Sequence, residues 1–223
     1  MFITFEGIEG CGKTTQIRRL AKRLASYRID VLLTFEPGGT SIGKRIRSIL
    51  LDSRNRKLDP LSELMLYAAD RAQHVEEVIK PALEQGKWVL CDRFSDATVA
   101  YQGIARSQDM RLIRVLNDKV TRGIRPDITF LLDCPVEMGL ARAFRRNRTG
   151  RNQGQDRFEK EAKAFHHKVR KGYLDIARKD RKRFIVIQGS GSSEEVEERI
   201  FRYIEPFLKL AGTERSSVRT EER

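Results

Sequence analysis

The chain has 223 residues, with 44 Lys+Arg against 31 Asp+Glu and a formal net charge of +13. That length predicts one domain with a full core, and no apolar run approaches the roughly 20 residues needed to cross a bilayer. The charge leaves two readings, a site that handles several phosphates or a nucleic-acid surface. The N-terminal "MFITFEGIEG" has no basic leader, which predicts no signal peptide. Cys11, Cys91 and Cys134 lack metal-ligand spacing and point to a reducing compartment. A soluble cytoplasmic protein is expected.

The first predicted strand is "FITFE", residues 2–6, and the stretch behind it fits G-x-x-x-x-G-K-[ST] from Gly7 to Thr14. Its loop is Gly7, Ile8, Glu9, Gly10, Cys11 and Gly12; Lys13, Thr14 and Thr15 open a predicted helix over 13–27. Glycines let the backbone curl so that several N–H groups point at phosphate oxygens, and the helix N-terminus adds positive potential. In that frame Lys13 reaches the β- and γ-phosphates of a nucleoside triphosphate and the Thr14 hydroxyl binds Mg²⁺. The loop implies ATP or a similar donor but no reaction.

The second strand, 30–36, runs into "TFEPGGT", where Pro37, Gly38 and Gly39 make a turn. Arg45 and Arg47 follow on a helix over 41–51, either as cations for a phosphate acceptor or as surface arginines. In the next helix, 60–84, Tyr67 and Arg71 are four apart and share a face. The pair suits a flat base, one stacking and the other donating, or it is a packed tyrosine beside a surface arginine. His74, and later His166 and His167, read as solvated helix residues.

"VLCDRFSDATVAYQG", 89–103, places Asp92 and Arg93 at the end of the third strand (87–92), the edge where open α/β sheets bind ligands. Asp92 can orient Mg²⁺ and Arg93 can clamp donor and acceptor phosphates; a plain strand-end ion pair is the alternative. Helices over 108–122 and 135–146 flank a fourth strand, 127–133. Five arginines then fall in "RAFRRNRTGR", 142–151. With Gly150 and Gly154 they suit a lid over about 142–156, an arginine there stabilising the transferring phosphoryl group. Only Phe144 interleaves them, which weakens a nucleic-acid stacking groove. A helix over 156–179, the solvated basic run 178–183, a fifth strand over 183–188 and a helix over 193–209 complete the pattern. The strands are continuously apolar, as in a parallel sheet buried on both faces, so the class is α/β. Residues 1–210 make the single domain, and 211–223 a polar, disordered tail.

Five stretches in register, "FEGIEGCGKTTQ", "EPGGT", "LYAADRAQH", "DRFSDATVAYQG" and "RPDITFLLD", resemble the bacterial thymidylate kinases over about residues 1–208. The resemblance implies a P-loop three-layer sandwich with a five-stranded parallel sheet in the order 2-3-1-4-5. It implies transfer of the γ-phosphoryl of MgATP to dTMP, giving dTDP and ADP, by a homodimer. It places Glu9 near the sugar 3′-hydroxyl and acceptor phosphate, Arg47 and Arg93 on that phosphate, and Tyr67 where a phenylalanine stacks on thymine. Arg71 matches the arginine on the base carbonyl, Thr98 and Gln102 match polar pocket residues, and Tyr101 sits near the 2′ position. Gly10 stands where some members carry an arginine; members without it look like the type with a lid arginine, for which Arg142 and Arg146 align and Arg148 or Arg151 are alternatives. Phe35 and Ala97 depart from the family pattern. Alternatives are a kinase for another nucleoside monophosphate, or a P-loop nucleic-acid-binding ATPase or GTPase, for which no N-K-x-D base-reading motif is present.

Overall fold

The structure, a computed structural model, describes residues 1–148 and 156–218, with the side chains of 148 and 209–218 excepted. Strands β1 (Phe2–Glu6), β2 (Val31–Phe35), β3 (Trp88–Asp92), β4 (Ile128–Asp133) and β5 (Phe184–Gln188) form one parallel sheet in the order β2-β3-β1-β4-β5, as the resemblance implied. Parallel neighbours need crossovers, and the intervening segments are helical. Side chains alternate across the sheet: Ile3, Phe5 and Leu90 join the larger apolar core, while Phe2, Val89 and Cys91 join a smaller one with Val75, Ile79, Ala82 and Phe94.

Helix α1 (Lys13–Ser26) buries Ile17, Leu20 and Leu24. Helix α2 (Ser41–Leu51) is capped by the Thr40 side chain, which accepts from Gly43 N. Helix α3 (Pro60–His74) starts at an Asp59 cap with Pro60 in the first turn, where its missing N–H costs nothing. The helix expected over 60–84 is continuous but passes through a π turn, Val75–Ile79, before α4 (Lys80–Glu84). Lys80 N–H bonds to Val75 O in that turn, and Pro81, which has no N–H, sits just after it.

An element the sequence did not predict follows β3: α5 (Ser95–Thr98) runs into a second π segment, Val99–Ala105. Helices α6 (Met110–Thr121), α7 (Val136–Arg148), α8 (Lys163–Lys179) and α9 (Ser193–Val218) complete the layers. Helix α8 begins later than expected, because residues 157–160 form turns. Helix α9 passes its expected end at 209, and residues 219–223 of the expected tail lie outside the described residues. No helix among the described residues is long and apolar enough to cross a membrane.

Candidate active site

Strands β1 and β3 are neighbours, with Phe5 opposite Asp92, so the Gly7–Gly12 loop and the Asp92-Arg93 pair emerge side by side. The loop backbone is left-handed at Gly10 (φ 68°), and a Cβ there would overlap the carbonyl oxygen of Gly139 on α7. A Cβ on Gly139 would in turn meet Glu9 O. The loop and α7 thus touch backbone to backbone, and a side chain at position 10 would force one of them to move. Lys13 is buried and donates from Nζ to Gly7 O at 2.9 Å and Ile8 O at 2.8 Å, with Cys11 Sγ at 3.5 Å. Thr14 Oγ1 donates to Asp92 Oδ2 at 2.8 Å, and the neighbouring Thr15 is exposed. Gly12 carries the last turn of the loop at φ 103° and Thr15 N–H bonds to its carbonyl.

Arg93 has a left-handed backbone, φ 72°, which turns its side chain back over the loop. Its Nη1 donates to Gly7 O at 2.9 Å and to the Tyr173 hydroxyl at 3.1 Å, and its Nη2 donates to Glu9 Oε1 at 3.1 Å. The Tyr101 hydroxyl donates to the same Glu9 oxygen at 2.6 Å. Burial alone would raise the Glu9 carboxyl, but His166, Arg93, Lys13 and Tyr101 hold it far below the usual carboxylate range. Behind Arg93, the Tyr173 hydroxyl donates to Glu6 Oε2 at 2.7 Å and Phe94 N–H donates to Glu6 Oε1 at 2.8 Å. Burial and the nearby Asp96 push the Glu6 carboxyl up to about 7.

The resemblance-derived pocket residues gather on one side of this centre. Tyr67 lies 6.5 Å from the Phe158 ring, and Tyr101 packs edge-on to the same ring at 5.5 Å. The Thr98 hydroxyl is buried without a hydrogen-bond partner. Gln102 Nε2 donates to Glu63 Oε1 at 2.8 Å, and Arg157 pairs with the other Glu63 oxygen at 2.7 Å. Arg47 is partly buried and donates to Pro37 O at 2.8 Å, whereas Arg45 is exposed. Arg71 is only 1% exposed. Its guanidinium is bonded to Glu36, Asn117 and the Phe94 carbonyl.

Two histidine expectations are corrected. His74 and His166 are fully buried rather than solvated; only His167, beside Glu137, fits that description. His74 bridges Glu36 Oε1 at 2.9 Å and Thr34 Oγ1 at 2.5 Å, because the Glu36 charge needs partners in the interior. The basic run 178–183 is not wholly a solvated face either: Arg183 forks onto both Asp96 oxygens. Sequence reasoning missed Glu6, Tyr173, Glu63 and Arg157. Of these only Glu6, an acid ending an apolar strand, carries a local signal. On α7, Arg142 is half-buried and Arg146 pairs with Glu159 at 3.1 Å. The Arg148 side chain and residues 149–155 of the expected lid, Arg151 among them, lie outside the described residues, while 142–148 form the end of α7. Among the described residues no group of three or more His, Cys, Asp or Glu could hold a metal ion.

A family model described as "Thymidylate kinase" matches residues 5–200. A thymidylate kinase of Geotalea uraniireducens (strain Rf4) is 55% identical over 196 residues, 88% of this chain and 92% of that protein. One of Syntrophotalea carbinolica is 54% identical over 211 residues, 95% of this chain and 98% of that protein. The crystal structure of thymidylate kinase from Ehrlichia chaffeensis is similar with a TM-score of 0.73 at 38% identity, covering 92% of this chain and 98% of that one.

Proposed function

The chain belongs to the thymidylate kinase family and phosphorylates dTMP to dTDP with ATP as donor; we propose that the groups gathered around Glu9 and Arg93 carry that reaction. The observation behind the assignment is the convergence of Arg93, Tyr101 and Glu9 above the glycine loop. The loop N–H groups and Lys13 bind the donor phosphates. Arg93 and Arg47 hold the acceptor phosphate, and an arginine of 142–151 closes on the transferring group. The acceptor oxygen is already anionic at neutral pH, so positioning and charge stabilisation do most of the work and no strong base is needed. Tyr67 stacks on thymine, Thr98 and Gln102 line its polar edge, Arg71 closes the wall on the carbonyl side, and Tyr101 crowds the 2′ position.

Mg²⁺ fits this site as a nucleotide-bound ion. Thr14 and Asp92 supply two hard oxygens, and among the described residues no group of three or more His, Cys, Asp or Glu could hold a metal ion, so water and phosphate would complete its shell. An ion held there by Thr14 and Asp92 would supply neutralisation of charge on the triphosphate. We also assign the chain to the cytoplasm and to a homodimer. Exposed Ile42 and Ile49 on α2, Leu61 and Met65 on α3 and Val115 on α6 support the dimer, since these helices pack side by side.

With γ-labelled ATP, the label should enter dTDP only when dTMP is present. Label appearing as inorganic phosphate regardless of acceptor would mark an ATPase instead.

A further inference from the structure

Helix α8 faces the loop with two polar residues seven apart, His166 and Tyr173, which share one side of the helix. Tyr173 has a defined task, linking Glu6 to Arg93. His166 sits against Glu9 and helps to hold its carboxyl in the ionised form. It is fully buried, its ring meets Phe165 edge-on at 5.6 Å, and neither ring nitrogen has a hydrogen-bond partner. Its Nδ1 lies 3.3 Å from Glu9 Oε2, and that oxygen is likewise buried without another partner. The opposite oxygen, Oε1, is fixed by Tyr101 and Arg93.

A buried carboxylate oxygen left without a donor is costly, and so is an imidazole with two idle nitrogens. At 3.3 Å the pair is already within hydrogen-bond reach, so a small reorientation of the ring gives Glu9 Oε2 its missing donor and Nδ1 a partner. We propose that His166 is a positioning residue: it donates from Nδ1 to Glu9 Oε2 and locks the carboxylate plane that Tyr101 and Arg93 hold from the other side. Helix α8 follows directly on the lid segment in sequence and packs along the 95–105 helix. The proposal rests on the assignment of Glu9 to the acceptor side of the site.

The test is a double-mutant cycle between His166 and Glu9, read as kcat and KM for dTMP and for ATP. His166→Leu should lower kcat/KM for dTMP about tenfold, the scale of one hydrogen bond to a charged group, and leave KM for ATP within about twofold. His166→Asn, whose amide nitrogen falls near the Nδ1 position, should recover most of that loss, and His166→Gln should not. In a Glu9→Gln background the effect of His166→Leu should shrink to less than about twofold, because coupled residues are not additive. An equal loss in both backgrounds, or recovery by Gln rather than Asn, would overturn the proposal. If Glu9→Gln alone leaves KM and kcat for dTMP unchanged, the acceptor-side assignment of Glu9 fails instead. Should His166→Leu not fold, as judged by its melting curve, the Asn and Gln pair carries the test, since both keep a polar side chain of similar bulk.

Discussion

Arg93 and Glu9 meet at 3.1 Å across the ends of two neighbouring strands, though 84 residues separate them in the chain. The contact exists because β1 and β3 are adjacent and parallel, and because the left-handed backbone of Arg93 aims its guanidinium at the loop. An arginine so placed stabilises charge on a transferring phosphoryl group. Arg93→Ala should therefore lower kcat by about a thousandfold. Its circular-dichroism spectrum should remain that of the parent. Near-normal turnover would remove Arg93 from the phosphate clamp.

Tyr101 offers a way to separate its hydroxyl from its ring. The hydroxyl donates to Glu9 Oε1 at 2.6 Å, while the ring packs against Phe158, Phe165 and Tyr173. Tyr101→Phe keeps the packing, so it should melt near the parent temperature while losing about tenfold in kcat/KM for dTMP. Tyr101→Ala should in addition raise the relative rate with the ribo-analogue of dTMP, measured in the same ADP-release assay. Unchanged discrimination between the two sugars would dismiss the 2′ role.

What could be read in the sequence was local. The phosphate loop from Gly7 to Thr14 needs only a glycine spacing between a strand and a helix, and the five strands needed only apolar runs. The 95–105 helix stayed hidden because it is buried nearly all round by both polar and apolar residues, Thr98, Ala100, Tyr101 and Gln102 among them. Its π segment also breaks the 3.6-residue period. His166 and Tyr173 were beyond reach for a different reason. Their partners are Glu9 and Glu6, more than 150 positions away, and nothing in a helical pattern tells which face meets another chain segment. The alternative of a surface arginine at position 71 fails, because Glu36, the acid before Pro37, holds Arg71 in the interior.

Gly10 and Gly139 form a backbone contact that excludes side chains. Gly10→Ala should lose at least about 2 kcal/mol of stability, from the left-handed backbone together with the overlap on Gly139 O. Differential scanning fluorimetry would show it as a drop of several degrees. KM for ATP should rise as well, because the loop must shift away from α7. A parent-like melt would mean that the two segments yield without cost.

Glu6 gives a pH signature. Its carboxyl is raised from 4.5 to about 7 in the folded chain, so between those values the folded state binds the proton that the unfolded state releases. Its contribution therefore turns unfavourable as pH rises through that window and is fully unfavourable above it. Glu6→Gln, which mimics the protonated group, should gain stability relative to the parent from pH 5 to pH 8. Melting curves of the pair across that range check the sign, and a constant or shrinking difference would contradict it.

The central claim is that this site selects dTMP as its phosphoryl acceptor. The most direct measurement is coupled ADP release with MgATP and each of dTMP, dUMP, UMP, CMP, AMP and GMP in turn. dTMP should run far ahead of the others, with kcat/KM for the purine monophosphates near background. Equal or better turnover with any other monophosphate would leave the phosphate machinery standing and contradict the base pocket built on Tyr67 and Thr98.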